Sequence, residues 1–198
     1  MSAVLIIVDV QNDFCPGGHL AVPGAHEIVP VINRLARDYK HVVLTQDWHP
    51  VGHSSFASQH PGHKPFSQIE MSYGLQTLWP DHCIIGTGGA ELHPELDIPH
   101  AELIIRKGFR LGIDSYSAFF ENDHKTPTGL AGYLKERGLS NVTLVGLAFD
   151  YCVRYSAEDA ARLGFQTEVI AQATRAIDAG AAAASTRQSF AERGIALV

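Results

Sequence analysis

Ala3-Val-Leu-Ile-Ile-Val8, followed by Asp9, is the stretch on which the fold turns. The six residues are apolar without interruption, and most are β-branched. A strand with one wet face alternates apolar and polar residues, whereas a strand buried on both faces reads as a continuous apolar run. The segment therefore predicts a central strand of a parallel sheet, with Asp9 at its carboxyl end. Similar runs follow at His41–Thr45, Ala101–Ile105, Asn141–Leu147 and Gln166–Ile170, with a short one at Ile195–Val198.

Helical patterns lie between these runs. Ile28, Val31, Ile32, Leu35 and Tyr39 recur at helical spacing after Pro23-Gly24. Thr126-Pro127 offers a cap and a first-turn proline for a helix whose buried stripe is Leu130, Tyr133 and Leu134 and which Gly138 ends. A third helix is expected over about 151–163, and a fourth over 179–192, capped by Asp178 and stopped by Gly194. Strands alternating with helices predict one α/β domain spanning 1–198, a three-layer α/β/α sandwich around a mostly parallel, Rossmann-like sheet. Only the stretch at about 47–99, rich in Pro, Gly, Ser and His, lacks periodicity. So long an excursion inside a compact domain is expected to carry function.

Composition narrows the classes. Fifteen Lys and Arg against 21 Asp and Glu leave a net charge of −6, so neither nucleic acid nor an anionic membrane is an expected partner. No apolar run near the N-terminus approaches the ~20 residues of a membrane span, and none has the flanks of a secretory signal. Three widely spaced cysteines (Cys15, Cys83, Cys152) without a C-x-x-C pair point to a reducing compartment, the cytoplasm. Self-association into a homo-oligomer is left open. Histidine is in excess: eight of the 11 fall between residues 41 and 100.

In open α/β sheets ligands bind beyond the carboxyl ends of the strands. Those ends carry Asp9, Lys107 and Cys152, the last opening a helix. Singly, each has an ordinary reading as a turn cap, a solvated strand end or an inert core thiol. Together they supply a base, a cation and a nucleophile. The helix N-terminus and Lys107 are expected to favour the Cys152 thiolate, and Asp9 to take the thiol proton and return it to a leaving amine. Backbone N–H groups near Ala148 and at the helix start could hold an oxyanion, which completes a set for acyl transfer. Asp47 and His49, two apart at the end of the second strand, project to one face and can share an ion. His82, in Trp79-Pro-Asp-His-Cys83, is the best third ligand, and His53 is an outer or occasional one. Two imidazoles and a carboxylate suit Zn, Fe(II) or Mn. His60, His63, His93 and His100 read as solvated loop residues.

Asp9-Val-Gln-Asn-Asp-Phe14, Asp47-Trp-His-Pro50, Trp79-Pro-Asp-His-Cys-Ile-Ile-Gly-Thr87, Lys107-Gly108 and Gly146-Leu-Ala-Phe-Asp-Tyr-Cys-Val153 occur in this order along nearly the whole chain. The sequence thereby resembles the nicotinamidase (pyrazinamidase) branch of the isochorismatase-like cysteine hydrolases. The resemblance implies a six-stranded sheet and a catalytic triad of Asp9, Lys107 and Cys152. It implies an oxyanion hole from the Ala148 and Cys152 amides with a cis Leu147-Ala148 peptide. One divalent metal would sit on Asp47, His49 and His82, with zinc first and Fe, Mn or Mg as alternatives. The pyridine ring of nicotinamide would lie between Phe14 and Trp79 and be hydrolysed to nicotinate and ammonia for NAD salvage, with pyrazinamide also accepted. Phe149 departs from the smaller or polar residue common in that family and is expected to bear on pocket shape.

Overall fold

A computed structural model describes residues 2–198. β1 (Ser2–Val8) is the strand of the opening run, and its side chains alternate between two cores. Leu5 and Ile7 pack into one, Val4, Ile6 and Val8 into the other, all closed to solvent. Two apolar faces explain the unbroken run. The other strands are β2 (His41–Asp47), β3 (Gln68–Met71), β4 (Gly74–Thr77), β5 (Leu103–Lys107), β6 (Leu139–Leu147), β7 (Gln166–Arg175) and β8 (Ala196–Leu197). Six of them form one sheet in the order β5-β2-β1-β6-β7-β8, with every pairing parallel.

The helices are α1 (Val29–Ala36), α2 (Leu130–Glu136), α3 (Cys152–Arg162) and α4 (Ala181–Arg193). α1 covers one face of the sheet, joined there by Trp79, Cys83, Ala90 and Ile98 from the long excursion. α2, α3 and α4 cover the other through Leu130, Leu134, Val153, Ala157, Phe190 and their neighbours.

Several local expectations shift. α1 stops before Tyr39, and a 3-10 turn over Ala25–Ile28 precedes it. Thr126-Pro127 does not open α2. The Thr126 amide and hydroxyl instead donate to Asp123, closing a turn, and Gly129 at φ 102° stands at the helix start. β5 begins two residues later than its apolar run, because pairing with β2 starts at Val43 opposite Leu103. Asp178 does cap α4, accepting from the amides of Gly180 at 2.8 Å and Ala182 at 3.0 Å, and Gly194 at φ 67° ends it. Within the excursion, β3 and β4 pair as an antiparallel hairpin. Each strand has only four residues, and β4 buries the polar Gln76 and Thr77 while Leu75 is exposed, so no hydrophobic period marks the hairpin in the sequence.

The sheet order reverses between β1 and β6, and this is where a crevice opens beyond the strand ends. Gly146 pairs with Val8 at this point and adopts φ +109°. A Cβ on it would lie 2.1 Å from the Val8 carbonyl oxygen. Only glycine allows the two strands to approach so closely. Gly146→Ala is therefore expected to lower unfolding free energy by about 3 kcal/mol, combining backbone strain with overpacking, as read by urea denaturation.

Candidate active site

Asp9 follows β1 in the left-handed region at φ 48°, fully buried. Asp47 and Lys107 end β2 and β5 and stand opposite each other in the register. Cys152 is the first residue of α3, after β6. The four side chains converge. Lys107 Nζ lies 2.8 Å from Asp9 Oδ2, donates to Asp47 Oδ1 and to the Ser115 carbonyl at 2.9 Å, and sits 3.4 Å from Cys152 Sγ.

Electrostatics follow from this packing. Burial alone would lower the pKa of Lys107, but the charges of Asp47 and Asp9 outweigh it and hold the ammonium well above its ordinary value. Burial likewise works to raise Asp47, and the charge of Lys107 together with the neighbouring His49 and His82 imidazoles carries it well below the carboxylate range. Asp9 goes the other way: burial prevails and the charge of Asp47 adds to it, so its pKa is raised. Cys152 is pushed well up, by burial first, with Lys107 opposing and both carboxylates adding. Burial and the two neighbouring carboxylates thus oppose the thiolate that the helix start and Lys107 favour.

Asp47 divides its oxygens. With Oδ1 on Lys107, Oδ2 lies 3.7 Å from both His49 Nε2 and His82 Nε2. The other ring nitrogens face carbonyl oxygens, His49 Nδ1 at 2.9 Å from Gly108 and His82 Nδ1 at 2.8 Å from Pro80. A ring that donates from Nδ1 presents the Nε2 lone pair, so three donor atoms within 4.8 Å of one another fit a divalent cation. Gln11 clamps the Asp47 backbone, accepting from its amide and donating to its carbonyl, both at 2.8 Å. His53 is engaged on both nitrogens: Nδ1 with Ser55 Oγ at 2.8 Å, Nε2 with the carbonyls of Arg110 and Ile113 at 3.0 and 3.1 Å. It braces a loop beside the donor set. His63 and His100 are exposed and His60 and His93 half-buried, none of them in the set.

Beside these groups lies a narrow cleft walled by Phe14, Trp79, Tyr116 and Tyr151 and floored by Cys152 and Ala148. Trp79 meets Tyr151 edge-on, ring centroids 4.7 Å apart. The Leu147-Ala148 peptide is cis. Among the described residues the Ala148 and Cys152 amides donate to no other protein group.

A family model for the Isochorismatase domain matches residues 3–196. The chain belongs to that family. A nicotinamidase of Acinetobacter baylyi is 58% identical over 177 residues, covering 89% of this chain and 83% of that protein. A solved nicotinamidase–pyrazinamidase of Acinetobacter baumanii superposes with a TM-score of 0.98 at 54% identity, over 100% of this chain and 95% of the other. A pyrazinamidase of Pyrococcus horikoshii, solved in complex with zinc, gives a TM-score of 0.83 at 33% identity, over 100% and 99% of the two chains.

In this isochorismatase domain the sequence reading missed part of the pocket. Asp114 and Tyr116, on the loop after β5, and Tyr151 line it. Tyr151 was within reach of reasoning, as the neighbour of Cys152 at the helix start. Asp114 and Tyr116 lie on an aperiodic loop whose return to the sheet top shows only in three dimensions. Gln76 of the hairpin fixes both, its amide 2.9 Å from Asp114 Oδ2 and 2.8 Å from the Tyr116 hydroxyl. Phe149 is a correction. Its ring turns away from the cavity and packs edge-on against Phe190 of α4, centroids 5.7 Å apart, so it does not shape the pocket.

Asp13 ties the segment carrying His82 to the turn after β1. Its carboxylate accepts the Cys83 amide at 2.7 Å and meets His19 Nδ1 at 2.7 Å. Burial would raise its pKa, but the bonds from His19 and Cys83 outweigh it and lower the value. The stability it contributes is full above the unfolded carboxylate pKa of 3.8 and is lost as pH falls through the lower folded value. Urea denaturation of wild type and Asp13→Asn should therefore differ most near neutral pH and converge in acid.

Proposed function

We propose that this chain hydrolyses nicotinamide to nicotinate and ammonia, and that it accepts pyrazinamide as well. One observation carries the reading: a cysteine at a helix start, in contact with a buried lysine and beside a buried aspartate, floors an aromatic-walled cavity. The nicotinamidase and pyrazinamidase relatives support the same substrate class.

Phe14 and Trp79 bind the flat ring by aromatic contact. Asp9 takes the proton from Cys152 as sulfur attacks the carboxamide carbon. Burial raises the Cys152 pKa, which favours coupling proton transfer to Asp9 with the attack on the carbonyl carbon. The amides of Ala148 and Cys152 hold the developing oxyanion. Ammonia leaves with the proton from Asp9, and water, deprotonated by Asp9 in turn, cleaves the thioester. Lys107 stays charged throughout and offsets the negative charge that moves among sulfur, oxygen and carboxylate.

Asp47, His49 and His82 would hold one divalent cation, for which zinc is the first candidate and Fe, Mn or Mg the alternatives. Such an ion supplies a Lewis-acidic point that orients the ring and a nearby water. Three free cysteines favour the cytoplasm as the place of action. No described helix is long and apolar enough to cross a membrane.

Ammonia release from nicotinamide tests the reading. Cys152→Ala is expected to lose at least about 10³-fold in kcat, and normal turnover by that variant rejects the nucleophile. Phe14→Ala should raise KM roughly tenfold through lost ring contact. Stripping the metal, verified by elemental analysis, should slow turnover and adding zinc should restore it. Full activity in verified metal-free protein rejects the metal assignment.

A further inference from the structure

Thr45 is a fully buried hydroxyl in β2, in a stretch otherwise built of Val42, Val43 and Leu44. A hydroxyl in such a place is unfavourable unless its bonds are satisfied. Both of its bonds run to one residue. Thr45 Oγ1 accepts from the Asp9 amide at 3.1 Å and donates to Asp9 Oδ1 at 2.6 Å. The two contacts close a small ring across the adjoining ends of β1 and β2.

That ring makes the oxygens of Asp9 unequal. A hydroxyl has a single hydrogen, and with the Asp9 amide directed at its oxygen, that hydrogen lies on the line to Oδ1. Protonating Oδ1 on that side would place two hydrogens between the same two oxygens unless the hydroxyl turned away, and the hydroxyl's bond makes the other lone pair of Oδ1 less basic. Among the described residues no other acceptor stands within reach of the hydroxyl. Oδ2 is placed differently. It is buried and carries no aligned hydrogen bond. Lys107 Nζ lies 2.8 Å away and pairs with it as a charge, while also contacting Asp47, the Ser115 carbonyl and Cys152. A carboxylate oxygen has two lone pairs, so beside Lys107 a second acceptor site on Oδ2 stays open. Cys152 Sγ lies within 4.8 Å of an Asp9 carboxylate oxygen.

We propose that Thr45 is a positioning residue that closes Oδ1 and leaves Oδ2 as the sole port for the travelling proton. The inference rests on Asp9 being the base of the proposed reaction. In the first step the S–H bond of Cys152 breaks and an Oδ2–H bond forms as sulfur bonds to the carbonyl carbon. In the second the Oδ2–H bond breaks, a bond to hydrogen forms on the departing nitrogen, and the C–N bond is cleaved. The same oxygen serves both steps, so the carboxylate need not rotate between them.

The experiment compares Thr45→Val, which keeps the shape and removes the hydroxyl, with Thr45→Ser, which keeps the hydroxyl. Steady-state ammonia release should show kcat for the valine variant reduced about 10- to 100-fold with KM within about twofold, and the serine variant within about threefold of wild type. Iodoacetamide labelling of substrate-free protein, followed by mass spectrometry of the Cys152 peptide, should slow in the same order. A valine variant with wild-type kcat, or a serine variant as slow as the valine one, overturns the proposal. Should Thr45→Val fail to fold, Thr45→Ala carries the same comparison. Asp9→Asn keeps the two ideas apart, since wild-type turnover there removes the base reading itself. An inactive Asp9→Asn beside an unimpaired Thr45→Val removes the Thr45 role alone.

Discussion

A buried ammonium between two buried carboxylates organises this molecule. Lys107 has no route to water, and its charge is held only by Asp9, Asp47 and the Ser115 carbonyl. Removing Lys107 would leave two carboxylates facing each other in the interior without a cation, an arrangement that costs several kcal/mol. The strand order β5-β2-β1-β6 makes the cluster feasible, because it sets the ends carrying Lys107, Asp47 and Asp9 side by side, with the start of α3 across the switch point. The ammonium also joins two pieces of chemistry. One oxygen of Asp47 serves the lysine and the other faces His49 and His82, so the thiol site and the cation site share one carboxylate.

The parts legible in the sequence were those governed by local pattern. β1 announces itself as an unbroken apolar run because both of its faces are covered, and β2 and β6 carry shorter apolar runs for the same reason. Asp9, Lys107 and Cys152 could be listed because strand ends are predictable from such runs. His49 and His82 emerged from a two-residue strand spacing and a Trp-Pro turn. What the pattern could not carry was distance. The pKa of Cys152 depends on its burial and on how near Asp9 and Asp47 come, neither of which the helix start or the lysine displays. His53 packs against His49, ring centroids 4.5 Å apart, and bonds Ser55 and two loop carbonyls, contacts that no local pattern displays. Phe149 adjoins Ala148 in sequence while its ring packs on α4, since neighbours around a chain turn face different sides. The hairpin and the Asp114–Tyr116 wall were silent because their order comes from Gln76 bridging two aperiodic segments.

Polar side chains with no direct share in bond-making form a supporting frame. Gln11 holds the Asp47 backbone as a neighbouring strand would, Asp13 fastens the segment before Cys83, and His53 braces the loop after Lys107. Each is almost fully buried and bonded, which is the condition under which polar groups give the interior a unique arrangement.

The contacts between Asp9 and Thr45, Lys107 and Cys152, and Lys107 and Asp47 span 36, 45 and 60 residues of chain. Nothing local holds them together. During synthesis Asp9 emerges long before Lys107 and Cys152, and until the β1–β6 pairing closes, the cysteine is an ordinary thiol with no carboxylate beside it. The reactive centre is therefore a property of the finished tertiary structure, acquired in one step with it. Turnover in a partly denatured sample accordingly counts intact molecules, and no fragment of the chain inherits a fraction of the activity.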